Sequence, residues 1–544
     1  MKNAPIAIAL LALLLLFGCS SADEKTEKRP PNILFVISDD QSHYHTSFAG
    51  SNFVNTPGFD RVAREGVFFT NCIAGSPGCA PSRSSIITGR HHWQNEQSGQ
   101  HAAPWLKKHV PFVDLLAENG YTTGRTGKGV SPFRYARDEN DSLWRATDAA
   151  GIEHSQIRYE AGSDGDARPA AQINTLNYFE NFKYFMENVR EAGDPFFFWY
   201  GATEPHRAFE QDSWKRTDKK LSDAEVPGFL PDHPIVRGDL LDYAVEIEWF
   251  DRHLQDMLNY LEEKGELDNT VVIVTSDNGM AFPRAKANGY DYGIHVPLAI
   301  RYPKGFPPGR TVDDPINFID LAPTILDLTQ TPSEGMLPIT GVSIRSILES
   351  SEQGTVDPAK KYVFSGRERH SASRYQNWGY PQRVIRSQDH LLIWNMKPDR
   401  WPAGAPQRIN PDNEEELLPL YGIDENGQHR SDWAFTDVDA APTKSYLVEN
   451  REDASVRPYF EAAFEKNPEV LLYDLQSDPE CMNNLAEDPD YAEIKETLRQ
   501  ALLAELRETK DPRVVGPDPE VFDSYLRYSP MREFPKPIEG STLK

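Results

Sequence analysis

Four short stretches of this chain carry residue types that could do chemistry on an anion: Asp39-Asp40, the string Cys79-Ala80-Pro81-Ser82-Arg83, His206 in the loop Thr203–Arg207, and Asp277-Asn278. Three carboxylates and an amide are hard oxygen donors. They suit Ca²⁺ or Mg²⁺, with Ca²⁺ favoured where six or more oxygens gather. Each acid taken singly reads as well as a helix cap or turn former. Pro81 and Ser82 suit the first turn of a helix, whose N-terminus attracts anions. A thiol held there is expected to be acidified and reactive. For Cys79 taken by itself, a buried structural cysteine is the plain alternative.

The elements that must position these groups follow from the hydrophobic pattern. NILFVIS (32–38) is a short β-branched run bounded by Pro31 and Asp39, and reads as a buried parallel strand. PFFFWYGA (195–202) and TVVIVTS (270–276) read the same way, and a further run, VFFTNC, follows a helix-like stretch from Pro57 to Glu65. Between the two later strands, residues from about Asp239 to Lys264 repeat apolar positions at three-and-four spacing, which predicts a long amphipathic helix. INFIDLAPTILDLT (316–329) predicts another. Strands alternating with helices make an α/β fold with a large, mainly parallel sheet sandwiched by helices. Asp39-Asp40, His206 and Asp277-Asn278 each follow a strand directly, and strand ends in such a sheet converge on one ligand crevice.

Beyond about residue 350 the chain becomes more polar and proline-rich, and strands such as YVFSG and HLLIWNM stand isolated. We therefore expect a catalytic domain over 32–360 and a smaller α+β domain over 361–544. That second domain carries a short antiparallel sheet and a helix near 488–508, and closes the cleft. No internal repeat is visible.

With 544 residues, 39% hydrophobic and 11% aromatic, the chain is long enough for two packed domains and is not a disordered polymer. Its net charge of −26, from 57 basic and 83 acidic residues, argues against nucleic acid and anionic lipid as partners. An anionic ligand then needs a local basic pocket. The four cysteines, Cys19, Cys72, Cys79 and Cys481, say little about compartment. The N-terminus says more. An apolar run from Ala4 to Phe17 is short for a membrane span and right for a signal peptide over 1–18. It ends in Phe17-Gly18-Cys19-Ser20, which resembles a bacterial lipobox with Cys19 as the lipidated residue. Residues 19–31 then form a polar tether, and the expected location is an exported lipoprotein on the outer membrane, touching the membrane only through its lipid. An ordinary secretory peptide cleaved nearby is the alternative.

The string C-x-P-S-R followed by T-G-R resembles the signature of the formylglycine-dependent sulfatases, members of the alkaline phosphatase superfamily. In that family the cysteine is oxidised to formylglycine (3-oxoalanine) by a maturation enzyme. DDQ after the first strand and SDNG after the third match the same family, and the match covers most of residues 32–330. LYDLQSDPECMNNLA (472–486) extends it into the C-terminal part. PFFFWYGATEPHR and TSDNGMAFPRAKANGY look closest to heparan N-sulfatase-like members.

The resemblance implies a Ca²⁺ ion held by Asp39, Asp40, Asp277, Asn278 and modified Cys79. One hydroxyl of the hydrated formylglycine would attack sulfur, and the second would allow the bound sulfate to be expelled. Arg83 would hold the nucleophile, Lys128 and Lys286 would contact sulfate, and His206 would protonate the leaving oxygen. Arg284 is a further candidate near Lys286. Where many sulfatases carry histidine two positions after the lysine, this chain has Val130; His101 is a candidate substitute. His43 and His45 are candidates for lining the pocket, with a structural role as the alternative. Arg367, Glu368 and His370 are candidate substrate ligands, and Trp394 and Trp401 are either sugar platforms or core.

Four readings follow. One is an exo-acting O-sulfatase on a fragment of a sulfated polysaccharide, such as ulvan from an algal wall or a glycosaminoglycan. A second is an N-sulfatase cleaving the sulfamate of glucosamine. A third is a phosphodiesterase or phosphonate hydrolase with the same nucleophile. The fourth, a non-catalytic glycan-binding lipoprotein, sits poorly with so complete a set of site residues.

Overall fold

The computed structural model describes residues 29–135, 145 and 147–537. The expected signal peptide and Cys19 lie outside the described residues. From Pro31 onward the chain forms one compact unit. No helix among the described residues is long and apolar enough to cross a membrane.

At its centre lies a twisted sheet. Its strands are β1 (Asn32–Ser38), β2 (Val67–Ile73), β3 (Thr122–Gly127), β4 (Phe196–Gly201), β5 (Thr270–Ser276), β6 (His295–Arg301), β7 (Arg310–Val312) and β8 (Ile316–Asn317). The order is β8-β2-β6-β5-β1-β4-β3, with β7 also on β2. β1 runs parallel to both β4 and β5, and β3 parallel to β4. Only β6 is reversed, pairing antiparallel with β5 and β2. The sheet is thus mainly parallel, as the alternating pattern implied.

Strands buried on both faces need apolar residues at every position. Ile33, Phe35 and Ile37 pack to one side with Phe197, Trp199, Val271 and Ile273. Leu34 and Val36 pack to the other with Phe198, Tyr200, Val272 and Val274. The helix α1 (Pro57–Glu65) and the long helix α3 (Pro234–Glu263) cover the second face, while α2 (Cys79–Thr88) and α4 (Leu321–Thr329) cover the first. The run 316–329 is not one helix. Ile316–Asn317 pairs as a strand, and the Asn317 side chain then accepts from Ile319 N, so the helical turns begin only after it.

The C-terminal part carries an antiparallel sheet of β9 (Val363–Arg367), β10 (Gln382–Arg386), β11 (His390–Asn395) and β12 (Val470–Asp474) in that order. Alternation divides its faces. Val384, Leu391, Ile393, Leu471 and Tyr473 pack toward Ile73, Tyr290 and Ile294 of the catalytic part. Ile385, Leu392 and Leu472 pack outward under Leu498, Leu502 and Leu506 of α5 (Ala492–Glu508).

Candidate active site

Strand ends build the floor. Asp39 and Asp40 leave β1, Lys128 leaves β3, the Thr203–Arg207 loop leaves β4, and Asp277-Asn278 leave β5. Asp40 sits at φ 76°, a left-handed conformation that aspartate tolerates better than most residues. Its N–H then donates to Asp277 Oδ1 at 3.1 Å. Two glycines permit the close packing. A Cβ on Gly279 would fall 1.8 Å from the Tyr292 carbonyl, and one on Gly201 would fall 1.8 Å from that of Lys128.

Cys79 is the first residue of α2, as the Pro-Ser pattern predicted, with Gly78 as N-cap. Ser82 Oγ donates to the Asp277 carbonyl at 2.6 Å. Arg83 is fully buried; its Nε donates to Asp277 Oδ2 at 2.7 Å and its Nη1 to the Lys128 and Gly129 carbonyls at 2.9 Å. Nη2 has no partner among the described residues. The helix is thereby locked to the Asp277 turn and the Lys128 loop.

Two lysines meet the acid pair. Lys128 Nζ lies 2.5 Å from Asp39 Oδ2, and Lys286 Nζ lies 2.6 Å from Asp40 Oδ2 and 3.2 Å from Asp439 Oδ2. Burial works against both ammonium charges, yet Asp39 holds Lys128 above the ordinary lysine range, and Asp40 with Asp439 does the same for Lys286. Burial likewise opposes the Asp39 carboxylate, but Lys128 and His206 keep it below its usual value. Asp277 goes the other way: burial, with Asp39 close by, outweighs Arg83 and raises it.

The Cys79 thiol corrects an expectation. Burial, with Asp39 and Asp277 adding to it, raises the thiol despite Lys128 and Lys286, so the unmodified cysteine is not acidified. Its position at a helix N-terminus is outweighed by burial first and by its acidic neighbours second.

His206 stands at the mouth. Its Nδ1 lies 2.6 Å from the Arg207 carbonyl, which can only accept, so Nδ1 carries the hydrogen. Nε2 is then the atom free to hold or hand over a proton, 3.8 Å from Asp40 Oδ2.

The oxygen donors fit a hard cation, while the unmodified Cys79 sulfur beside them is a soft ligand. Asp39, Cys79 and Asp277 present ligand atoms within 4.8 Å of one another. Asp39 Oδ1 and Asn278 Oδ1 are buried without a hydrogen-bond partner among the described residues. Asn278 Nδ2 donates to Asp40 Oδ1 at 2.6 Å, which fixes the amide's orientation. Orphaned buried acceptors are costly unless something electropositive meets them.

Over this floor lies a cavity of about 370 Å³, lined by Asp39, Lys128, His206 and Arg207 together with Gln172, Asn174, Thr203, Glu204 and Glu246. Of these, Gln172, Asn174 and Glu246 carried no sequence motif. Glu246 had one available signal: it is an acid on the buried face of α3, among Leu240, Tyr243 and Ile247. Asp439 was missed too, in a loop without regular structure.

Several candidates do not line the cavity. Arg284 donates to the Glu480 and Cys481 carbonyls and stacks 3.9 Å over Tyr290, so its guanidinium ties down the C-terminal part. Arg367 is buried against Asp437 (2.8 Å) and Asn288 (3.2 Å), and Glu368 is enclosed by Arg383 and Arg513, each at 2.7 Å. Neither Arg367 nor Glu368 lines the cavity. His43 stacks on His295 at 4.1 Å and His45 packs edge-on to Tyr243, supporting the Asp39-Asp40 turn from behind. Trp394 and Trp401 pack beside other cores. His370 lies against the turn before Cys79, where a Cβ on Gly78 would come 3.1 Å from its Nδ1, and His101 lies 5.2 Å from it ring to ring. Loss of solvent pushes His370 down to about 3 and His101 well below its usual value, so both stay neutral. Val130 is wholly buried in the main core.

Comparison with known proteins agrees with this geometry. The Sulfatase family model matches residues 31–331, and the model for the C-terminal part of N-sulphoglucosamine sulphohydrolase matches residues 285–397. The N-sulphoglucosamine sulphohydrolase of Homo sapiens is 26% identical, covering 94% of this chain and 95% of its own. An ulvan-active sulfatase of Formosa agariphila is 25% identical over 94% of this chain and 79% of its own. Among solved structures, a protein bound to its substrate D-glucosamine-2-N,6-O-disulfate superposes with a TM-score of 0.60 at 22% identity, over 91% of this chain and 99% of the other.

Proposed function

Because this chain belongs to the sulfatase family and is a sulfuric ester hydrolase, we propose that it takes one sulfate from the end of a sulfated oligosaccharide, by way of formylglycine at position 79 and a bound Ca²⁺. The observation that carries this reading is the pair of orphaned oxygens, Asp39 Oδ1 and Asn278 Oδ1, in a site where Cys79 lies beside Asp39 and where half-buried Lys128 and buried Lys286 meet the acid pair. A cavity of about 370 Å³ suits a chain end better than a passing polymer.

Asp39, Asp40, Asp277, Asn278 and residue 79 would hold the ion, which would offset carboxylate charge and polarise a sulfate oxygen. Formylglycine would supply the nucleophilic oxygen that a buried, protonated thiol lacks. The chain's own residues do the rest. Lys128 and Lys286 present fixed ammonium groups to the sulfate oxygens, where charge grows in the transition state. Arg83 holds residue 79 by locking α2 to the Asp277 turn. His206, with Nδ1 pinned by the Arg207 carbonyl, delivers a proton from Nε2 to the leaving sugar oxygen. Export and anchoring through Cys19 would place this activity at the cell envelope, where polymer fragments arrive.

Sulfate release from ulvan, carrageenan, chondroitin and heparin fragments tests this, using protein co-expressed with a maturation enzyme. Release from an O-sulfated fragment, absent in Cys79→Ala, is expected. Silence on every fragment, with formylglycine present by peptide mass, overturns it. A second reading, cleavage of N-sulfoglucosamine, is favoured by the match of residues 285–397 to the N-sulphoglucosamine sulphohydrolase model. Release from N-sulfated glucosamine alone would make that reading the right one.

A further inference from the structure

The long helix α3 carries four buried acids toward the catalytic part, and three are fully engaged. Asp239 pairs with Arg207 at 2.7 Å and accepts from Thr443 Oγ1 at 2.6 Å. Asp242 accepts from Ser213 Oγ, Trp214 N and Asp212 N. Asp251 accepts from Gly58 N and Phe59 N, both at 2.7 Å. Glu246 is different. It is 3% exposed, lines the cavity above His206, and its carboxyl makes no hydrogen bond or ion pair with any described residue. Its oxygens are left to the cavity, where a ligand group can take the place of water.

Its surroundings say which kind of group. The neighbouring cavity wall is Glu204, whose Oε2 accepts from Tyr178 Oη at 2.8 Å and whose Oε1 accepts from Asn174 N at 2.9 Å. Both Glu204 oxygens thus already hold protein donors, although burial raises this carboxyl above its usual range. The one guanidinium on this wall, Arg207, is already bidentate with Asp239. The lysine of the cavity, Lys128, sits against Asp39, whereas the charged groups that act on Glu246 are the acids Glu204, Asp242 and Glu210. The cavity is thus polarised: one end takes an anion and the other repels it.

We propose that Glu246 is a specificity-determining residue of the sugar subsite: it hydrogen-bonds an uncharged hydroxyl or amide, or an amine, of the sugar ring, and with Glu204 excludes a second sulfate or a carboxylate there. This rests on the sulfatase reading for the placement of the first sulfate. Burial, reinforced by Glu204 and Asp242, raises the Glu246 carboxyl well above its usual range, and the same surroundings would disfavour the negative charge of a sulfate or carboxylate placed beside it.

The test uses binding of desulfated sugars, so that it does not depend on turnover. N-acetylglucosamine, glucosamine and glucuronic acid are titrated into the full-length wild type and Glu246→Gln, with saturation-transfer NMR as the readout. The wild type is expected to bind the two amino sugars at least about tenfold more tightly than the uronic acid, and Glu246→Gln to narrow that gap about threefold or more. Inorganic sulfate, which has no protons and is followed by isothermal titration calorimetry, is expected to bind both proteins alike, which a general loss of structure would not allow. Glucuronic acid binding the wild type as tightly as N-acetylglucosamine would overturn the inference, as would a gap that Glu246→Gln leaves unchanged. Sulfate release by the same protein sample tests the sulfatase reading separately.

Discussion

Two buried charge clusters in this molecule use the same ingredients to different ends. At the strand ends, Asp39, Asp40 and Asp277 meet Lys128, Lys286 and Arg83. Behind the C-terminal sheet, Glu368 and Asp511 meet Arg383 and Arg513. In the second cluster both Glu368 oxygens and both Asp511 oxygens accept from guanidinium nitrogens. In the first, Asp39 Oδ1, Asn278 Oδ1 and Arg83 Nη2 have no partner among the described residues. A complete cluster holds structure together; one with unfilled valences awaits a ligand. Charge and burial alone do not separate the two cases, whereas the count of unfilled atoms does.

The largest effect that would break this contrast is on turnover. Cys79→Ala should lower kcat/KM on the responsive sulfated sugar by at least about a thousandfold, because no other residue replaces a nucleophile. Its thermal midpoint should stay near that of the wild type, since one small buried side chain is exchanged for another. A surviving rate within tenfold would move the chemistry away from residue 79.

Glu368→Gln should do the reverse. Glu368 is 3% exposed and Arg383 is wholly buried, so removing the carboxylate leaves guanidinium charge underground at a cost of about 3–5 kcal/mol. Urea denaturation should show that loss, while kcat per folded molecule stays unchanged. A selective fall in kcat with stability intact would return Glu368 to the substrate ligands.

Metal addition probes the unfilled oxygens directly. Ca²⁺ at a hundredfold over its Kd should stabilise the wild type by about 2.7 kcal/mol, and Asp39→Asn should lose most of that response. An equal response in both proteins would place the ion elsewhere.

How much of this could be read in the sequence follows the same division. The strand-end groups were legible because β1, β4 and β5 are uninterrupted apolar runs that end at Asp39, Ala202 and Asp277. Lys128 was legible only through its motif, because its strand, Thr122–Gly127, is polar and glycine-rich and has no hydrophobic signature. The reversal of β6 was hidden, since a strand buried on both faces reads the same in either direction. Arg367 and Glu368 read as substrate ligands while the structure gives both buried charge partners, because a charged residue after a strand looks alike whether it meets a substrate or a buried partner. Glu246 was hidden inside a helix whose apolar periodicity survives four buried acids.

The last predicted effect extends the contrast to histidine. His253, 1% exposed on α3, has Nδ1 3.3 Å from Phe179 N, so this nitrogen must accept and the ring must be neutral. Burial pushes it down to about 3, against an unfolded value near 6.5. Because the folded pKa is depressed, the unfolded chain binds the extra proton between those values. Stability is therefore full above about pH 6.5 and declines as pH falls toward 3, by about 1.4 kcal/mol per pH unit for one such group. His45 and His370 add the same sign in the same window. His253→Asn removes one titrating group and should flatten the slope of unfolding free energy against pH by about one proton. An unchanged slope would mean that His253 is protonated in the fold, and that its contact with Phe179 N does not hold in acid.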